Sequence, residues 1–178
     1  MERAAVFIDG GYLNKVLKNY FSEADIDYEK FSQKLCEIIN AKILRTYFYH
    51  CMPIVRRGNK EDELRHAKMQ KFIQKLKRLP RFEVRLGRLQ LIGNVFKQKM
   101  IDVLMSLDIA DISFEKHVDH IIIVAGDSDF VPAIKKAKEY GVIVHLFYHR
   151  NSVHHQILDE VDERHEINEE IIKTCRKK

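Results

Sequence analysis

The chain has 178 residues, of which 46% are hydrophobic and 32% charged, as in an ordinary soluble globular protein. It is long enough to bury a hydrophobic core without disulfides or structural metals. Its three cysteines are far apart, odd in number and in no zinc-like spacing, which excludes a disulfide scaffold and indicates free thiols. No apolar run approaches membrane-spanning length and the first residues lack a secretory h-region, so we expect a cytoplasmic protein without a membrane partner.

The first predicted element is a short apolar strand, residues 4–8, that ends in Asp9 and two glycines. A helix is predicted from about residue 12 to residue 20. A carboxylate at the carboxyl end of a strand, beside glycines that let backbone N–H groups approach a ligand, indicates a binding position. Asn14 lies near the start of the helix, where it either reaches back towards Asp9 or is an ordinary surface residue, and the pattern favours neither interpretation.

The middle of the chain is basic, whereas both flanks are acidic. Residues 42–100 carry 16 Lys and Arg against 4 Asp and Glu, a balance of +12. They contain a predicted strand (43–51), a loop, a helix (61–79) and a strand exposed on one side (82–92). A basic loop and a basic helical stripe suit a polyanion such as nucleic acid, although a solvated helix face would look similar. The candidate contacts are Arg56, Arg57, Lys60, Lys68, Lys71, Lys75 and Arg78.

A helix predicted from about residue 99 to residue 114 is apolar almost all round and yet contains aspartates. Carboxylates on such a helix are costly unless a cation or backbone donors satisfy them. Asp102 shares a polar stripe and is the better ligand candidate. Asp108 falls on a face predicted to be buried and is the better structural candidate. Lys99, one turn before Asp102, is placed to neutralise it or to contact a phosphate.

The stretch IIIVAGDSDF, residues 121–130, combines a buried strand with two acids. Its β-branched run predicts a strand buried on both faces, and Gly126 is expected to give the turn that ends it. Asp127 and Asp129 then stand at the edge where ligands bind in open α/β sheets. Two such carboxylates repel each other unless a cation, usually a divalent metal, lies between them. Ser128 is predicted to cap the following helix, which runs to residue 140.

The last elements complete an alternating pattern. Residues 142–148 form another predicted buried strand, so the chain alternates strand and helix and predicts a parallel sheet with helices on both faces. Four histidines at positions 145, 149, 154 and 155 match no HExxH spacing, and a histidine metal site is not favoured. The tail from residue 159 predicts one short helix, residues 167–172, and no evident chemistry.

Three segments match one family pattern in the same order: FIDGGYLNK at residues 7–15, KMIDVLMSLDIA at 99–110 and VAGDSDFVPAIKKAKEYGVIV at 124–144. Together they resemble the NYN domain, the PIN-like nuclease group that includes the LabA-like proteins. The resemblance implies a PIN-like, Rossmannoid parallel β-sheet sandwiched by α-helices on both faces. It also implies a nuclease domain over residues 1–150, with residues 151–178 as a C-terminal extension packed on the same domain.

The resemblance further implies a metal site for RNA cleavage with Mg²⁺ or Mn²⁺. Carried over by motif, its four aspartates are Asp9, Asp102, Asp127 and Asp129. Asn14 matches an asparagine of the first motif less closely. The usual KGVD of the family reads KMID here, so Met100 replaces a glycine.

The sequence therefore predicts a metal-dependent ribonuclease that binds single-stranded or structured RNA. Metal ions held by carboxylates neutralise the phosphodiester charge and activate a water. A non-catalytic RNA-binding or regulatory module with the same fold is the alternative. A haloacid dehalogenase or a toprim enzyme is disfavoured, because the DSD motif comes late in the chain. The sequence does not decide the oligomeric state, and a homodimer is one of the alternatives.

Overall fold

A sheet of seven strands runs through the centre of the chain. The computed structural model describes the backbone of residues 1–92 and 95–178 and the side chains of residues 1–87 and 100–178. The strands are β1 (Arg3–Asp9), β2 (Lys42–Cys51), β3 (Phe82–Ile92), β4 (Val95–Lys99), β5 (His120–Val124), β6 (Ile143–Tyr148) and β7 (Glu163–Glu166). Their order in the sheet is β4-β3-β2-β1-β5-β6-β7, in which six strands are parallel and β4 is antiparallel to β3.

Helices cover both faces of the sheet. They are α1 (Gly10–Tyr20), α2 (Tyr28–Ile38), α3 (Lys60–Lys77), α4 (Ile101–Phe114), α5 (Val131–Glu139), α6 (His155–Glu160) and α7 (Glu169–Cys175). The first three and α7 enclose one hydrophobic core, and α4, α5 and α6 enclose the other. Within the described ranges no helix combines the length and apolar character needed to cross a membrane. The predicted α/β class, with a parallel sheet between two helical layers, is confirmed.

The direction in which successive strands are added to the sheet reverses between β1 and β5. From β1 the chain moves to one side through β2 and β3, and later to the other side through β5, β6 and β7. The carboxyl ends of β1 and β5 therefore border a crevice, which is the usual ligand position in open α/β sheets. Asp9 is the last residue of β1, and Asp127 follows β5 after two residues. The topology thus brings the first and last sequence motifs to one place.

The differences from the sequence-based expectations include two strands, the unpredicted helix α6 and several helix boundaries. The short segment of β4 and the charged segment ERHE of β7 lack the apolar alternation of a strand. β7 nevertheless pairs in parallel with β6, placing Glu163 opposite His145. The helix expected over residues 167–172 is α7, which begins at Glu169, ends at Cys175 and packs against α2. Tertiary pairing has overridden local propensity here.

Residues after 150 are built into the same sheet. Besides the β6–β7 pairing, the hydroxyl of Tyr20 donates to the carbonyl of Asn151 at 3.2 Å. The backbone N–H of His154 donates to the carbonyl of Gly126 at 2.8 Å. These contacts join the last segment to α1 and to the loop after β5. The division into residues 1–150 and an extension stays a prediction.

Ser128 does not cap the helix that follows β5, contrary to the prediction. It begins a three-residue 3-10 turn, Ser128–Phe130, whose N-cap is Asp127. The Asp127 carboxylate accepts the backbone N–H of Asp129 at 3.0 Å. The helix α5 follows directly, with Pro132 in its first turn and no side-chain cap. Asp and Ser are both good caps, and the geometry of the turn selects the carboxylate.

Gly126 is required by close packing and not by a turn conformation. Its φ lies outside the left-handed region, unlike that of Gly58 or Gly141. A Cβ at this position would lie 2.5 Å from Cε2 of Tyr12 and would collide with the backbone oxygen of Ser152. The missing side chain lets α1, the loop after β5 and the segment at residue 152 meet beside the crevice.

We predict that Gly126→Ala lowers the thermal unfolding midpoint by about 2–10 °C, because overpacking costs about 1–3 kcal/mol in a domain of this size. The measurement is a thermal melt followed by circular dichroism. Gly58→Asn is the matched control, since that position has open space and Asn tolerates positive φ. An equal midpoint for Gly126→Ala and the native chain would contradict the packing argument.

Candidate metal centre

Three carboxylates meet at the crevice between β1 and β5. Asp102 lies in the first turn of α4, and Asp127 and Asp129 lie in the loop and 3-10 turn after β5. One oxygen from each of the three lies within 4.8 Å of the others. Oxygen donors this close together are what hard divalent cations take. The structure brings together three of the four predicted aspartates.

Asp9 lies beside this group but is not one of its three members. Its carboxylate caps α1 by accepting the backbone N–H of Tyr12 at 3.0 Å. Its pKa is raised to about 6, mainly by burial and further by the negative charges of Asp102 and Asp127. Asp9 therefore lies within electrostatic range of both residues, and its ionised form is disfavoured while no cation is nearby.

The pKa of Asp102 is also raised, by burial first and then by the charges of Asp127 and Asp129. Burial and like charge are the two effects that a divalent cation would offset. All four side chains offer hard oxygen donors, which suit Mg²⁺ or Mn²⁺ better than a soft metal. The residues fit such an ion by donor type and by charge.

Met100 stands immediately before α4 in a left-handed conformation, with a φ of 78°. The motif that KMID resembles is expected to have a glycine at this position, and glycine adopts positive φ without steric cost. A methionine there costs roughly 1–2 kcal/mol. Among the described residues, no side chain caps the start of this helix. The turn that carries Asp102 thus begins at a residue with backbone strain.

The predicted supporting residues lie in different places. Asn14 is exposed and lines a cavity between α1 and α3 that also contains Lys68, away from the carboxylates. Its contact with Asp9 stays a prediction. Asp108 accepts the Tyr49 hydroxyl at 2.6 Å and its Oδ2 lies 3.0 Å from Nε of Arg85, so it ties α4 to β2 and β3.

Lys99 ends β4, and its side chain lies outside the described residues. Its predicted role beside Asp102 therefore stays a prediction.

A cavity of about 550 Å³ adjoins the carboxylates and contains residues that the sequence did not single out. Lys15 and His154 line it together with Asp9 and Asp127. Lys15 is the last residue of the first motif, so a basic residue about 1.7 helical turns after Asp9 was a usable signal. His154 lies far along the chain, and only the fold brings it here.

The basic residues divide into two groups along α3. β2 ends at the same sheet edge as β1, so Arg57 and Lys60, between β2 and the first turn of α3, lie towards the edge that holds the carboxylates. The helix then runs to the opposite edge, where β3 begins. Its 18 residues span about 27 Å at about 1.5 Å per residue. Lys71, Lys75 and Arg78 are exposed on the distant half.

Arg56 is already engaged within the protein. Its guanidinium contacts both carboxylate oxygens of Asp62, with Nε at 2.6 Å and Nη2 at 3.0 Å. A bidentate pair of this kind fixes the loop against the start of α3. The structure therefore gives Arg56 a structural contact in addition to its predicted RNA contact.

Comparisons with known proteins identify the fold and the family pattern. The model of the NYN domain family matches residues 3–168. A segment of 41 residues is 46% identical to an uncharacterized protein from Methanocaldococcus jannaschii, and the match covers 23% of this chain and 17% of that protein. The crystal structure of a protein of unknown function from Vibrio parahaemolyticus is similar over 94% of both chains, with a TM-score of 0.64 and 19% identity. At that identity the likeness shows a common fold alone.

We predict that Asp9→Asn stabilises the metal-free protein at about pH 8 and has no such effect at about pH 4. The folded chain binds a proton at Asp9 up to about pH 6, whereas the unfolded chain releases it near 3.8. The free energy of unfolding therefore falls as the pH rises through this window, by up to about 3 kcal/mol at about 1.4 kcal/mol per pKa unit.

The measurement is urea unfolding in EDTA at both pH values. Asparagine keeps the capping oxygen for Tyr12, so only the charge is lost. Asp111→Asn, at an exposed position of α4, is the control and should change stability by less than about 0.5 kcal/mol. An Asp9→Asn variant that is less stable at the higher pH would contradict the electrostatic account.

Proposed function

The chain belongs to the NYN domain family, whose members are generally nucleases with a PIN-like fold, and on this premise we propose that it is a metal-dependent ribonuclease. The proposed reaction is hydrolysis of RNA phosphodiester bonds at the crevice between β1 and β5. One observation carries the proposal: oxygens of Asp102, Asp127 and Asp129 lie within 4.8 Å of one another at the switch point of the sheet.

Mg²⁺ or Mn²⁺ would be held by these three residues together with Asp9. When bound, such an ion would offset the phosphate charge and supply a hydroxide near neutral pH. The protein's own contribution is to orient the ligands. The backbone N–H of Asp129 holds the Asp127 carboxylate, and that of Tyr12 holds the Asp9 carboxylate. Neither carboxylate has to be ordered when the ion enters, which favours binding.

The RNA would be positioned by basic side chains around and below the crevice. Lys15 lines the cavity with Asp9 and Asp127, where a cationic amine can contact a phosphate near the reacting bond. Arg57 and Lys60 extend this surface at the same edge of the sheet. The exposed stripe on α3 then offers contacts to phosphates farther from the crevice, and it comprises Lys68, Lys71, Lys75 and Arg78.

We predict that Asp127→Asn and Asp129→Asn each reduce Mn²⁺-dependent cleavage of RNA by at least about a hundredfold, because each removes a proposed metal ligand. Both side chains are exposed, so the fold should be retained. The assay incubates the pure protein with a mixed set of RNAs and single-stranded DNAs, with and without Mn²⁺. Asp111→Asn is again the matched control, since it neutralises an exposed aspartate of α4 outside the group.

Undiminished cleavage by the double variant would refute the proposed site. RNA binding that is unchanged by EDTA, with no cleavage under any metal, would instead favour the non-catalytic RNA-binding or regulatory module.

We predict that the two basic groups contribute differently to the binding of short and long RNAs. Arg57→Ala/Lys60→Ala should weaken binding of RNAs of about 4 and about 16 nucleotides, whereas Lys71→Ala/Lys75→Ala should weaken only the longer RNA. The reason is distance, since Lys71 and Lys75 lie on the half of α3 that points away from the crevice. Each variant loses two positive charges, so the pair is internally matched.

The measurement is RNA affinity by fluorescence anisotropy over a series of salt concentrations. Each double variant should lower the slope of log affinity against log salt by roughly one to two for the RNA that it affects. Equal losses on both RNAs for both variants would contradict a path along α3.

A further inference from the structure

A second group of metal-ligand residues lies on β5, β6 and β7, away from the aspartates. His120 is the first residue of β5, His145 lies on β6, and Glu163 and His165 lie on β7. Alternate residues of a strand share a face, and these side chains lie on the face covered by α7. They cluster towards the amino ends of the strands, whereas the aspartates are at the carboxyl ends.

Hydrogen bonds along this group assign the proton positions. Oε2 of Glu2 lies 2.7 Å from Nε2 of His120, and a carboxylate can only accept, so that nitrogen carries the proton. The Nδ1 of a neutral His120 is then an acceptor, and it lies 3.0 Å from Nε2 of His145. His145 therefore donates from Nε2, which leaves a lone pair on its Nδ1. Burial lowers the pKa of His145 and so favours this neutral form.

The free Nδ1 of His145 faces two further electron-pair donors. Oε2 of Glu163 lies 3.2 Å from it, and Nε2 of His165 lies 3.2 Å from it. The same Glu163 oxygen and Nε2 of His165 are 3.6 Å apart. A proton on one of these three atoms can form hydrogen bonds to its neighbours. At least one pair of the atoms then still faces each other with lone pairs and no proton between them, which is repulsive. A cation at the centre would satisfy all three at once.

The three separations match the edges of a tetrahedron around a small metal ion. Bonds of about 2.0–2.2 Å to nitrogen and carboxylate oxygen place neighbouring tetrahedral ligands about 3.3–3.6 Å apart. Two imidazoles and one carboxylate select a transition metal such as Zn²⁺ over Mg²⁺. His145 is hydrogen-bonded to His120, which is hydrogen-bonded to Glu2. Hydrogen bonds of this kind, made by the ring nitrogen that does not bind the metal, orient metal-binding histidines.

We propose that His145, Glu163 and His165 form a tetrahedral site for a divalent transition metal ion of the Zn²⁺ class, with its fourth position open to solvent. The side chain of Glu163 is 57% exposed, which gives the ion a path from solvent, whereas His145 is buried. An ion bound there would join β6 to the four-residue edge strand β7 and so stabilise the end of the sheet. The proposal is independent of the nuclease proposal.

The test is calorimetric titration of Zn²⁺ into the full chain carrying Asp127→Asn and Asp129→Asn, so that the carboxylate group does not contribute. We expect one Zn²⁺ per chain and a higher thermal midpoint with Zn²⁺ than with EDTA. Glu163→Gln and His165→Gln should each weaken binding by at least about tenfold. Co²⁺ should give the visible absorption of a tetrahedral ion in the same background and lose it in either variant.

His117→Gln is the matched control, because His117 pairs with Glu115 at 3.0 Å on the surface but, among the described residues, is in no group of three possible metal ligands. Its Zn²⁺ affinity should be unchanged. Absence of Zn²⁺ binding, or binding that neither Glu163→Gln nor His165→Gln weakens, would overturn the proposal. Glu163→Gln alters an exposed side chain, so loss of folding does not obscure its result.

Discussion

Repulsion between carboxylates at the reversal point of the sheet is the constraint around which the molecule is arranged. The topology brings the ends of β1 and β5 together, and each end carries acid. Asp102 is contributed by α4, which belongs to the helical layer formed by α4, α5 and α6. The buried strands hold these carboxylates near one another. Their mutual repulsion lowers the stability of the fold, and burial of the core offsets this loss. Folding thus maintains an unsatisfied negative potential that a divalent cation would neutralise.

Much of this arrangement could be predicted from local sequence. Buried parallel strands read as continuous apolar runs, so β1, β5 and β6 stand out without any knowledge of their neighbours. Acids that directly follow such runs must lie at the carboxyl edge of the sheet. Asp9, Asp127 and Asp129 could therefore be placed by strand direction alone, and Asp102 was found because a carboxylate is anomalous on an apolar helix.

The features that were missed depend on contacts between distant segments. β7 has a charged sequence and becomes a strand because β6 offers it an edge. His154 reaches the crevice through the loop after β6, and a spacing rule within one segment cannot find it. The cap at Asp127 was assigned to Ser128 because both side chains suit that role and only the backbone geometry decides. The basic helix was recognised, but its direction away from the crevice required the sheet order.

The strained turn at Met100 has a consequence for the energetics of local opening. A left-handed methionine, and a first turn that no described side chain caps, lower the free energy needed to fray the start of α4. Fraying of that turn would move Asp102 away from Asp127 and Asp129. On the proposal that Asp102 is a metal ligand, frayed molecules would lack one ligand, and the apparent ion affinity would fall in proportion to their share. Backbone strain two residues before this proposed ligand would thereby raise the ion concentration at which the proposed site fills.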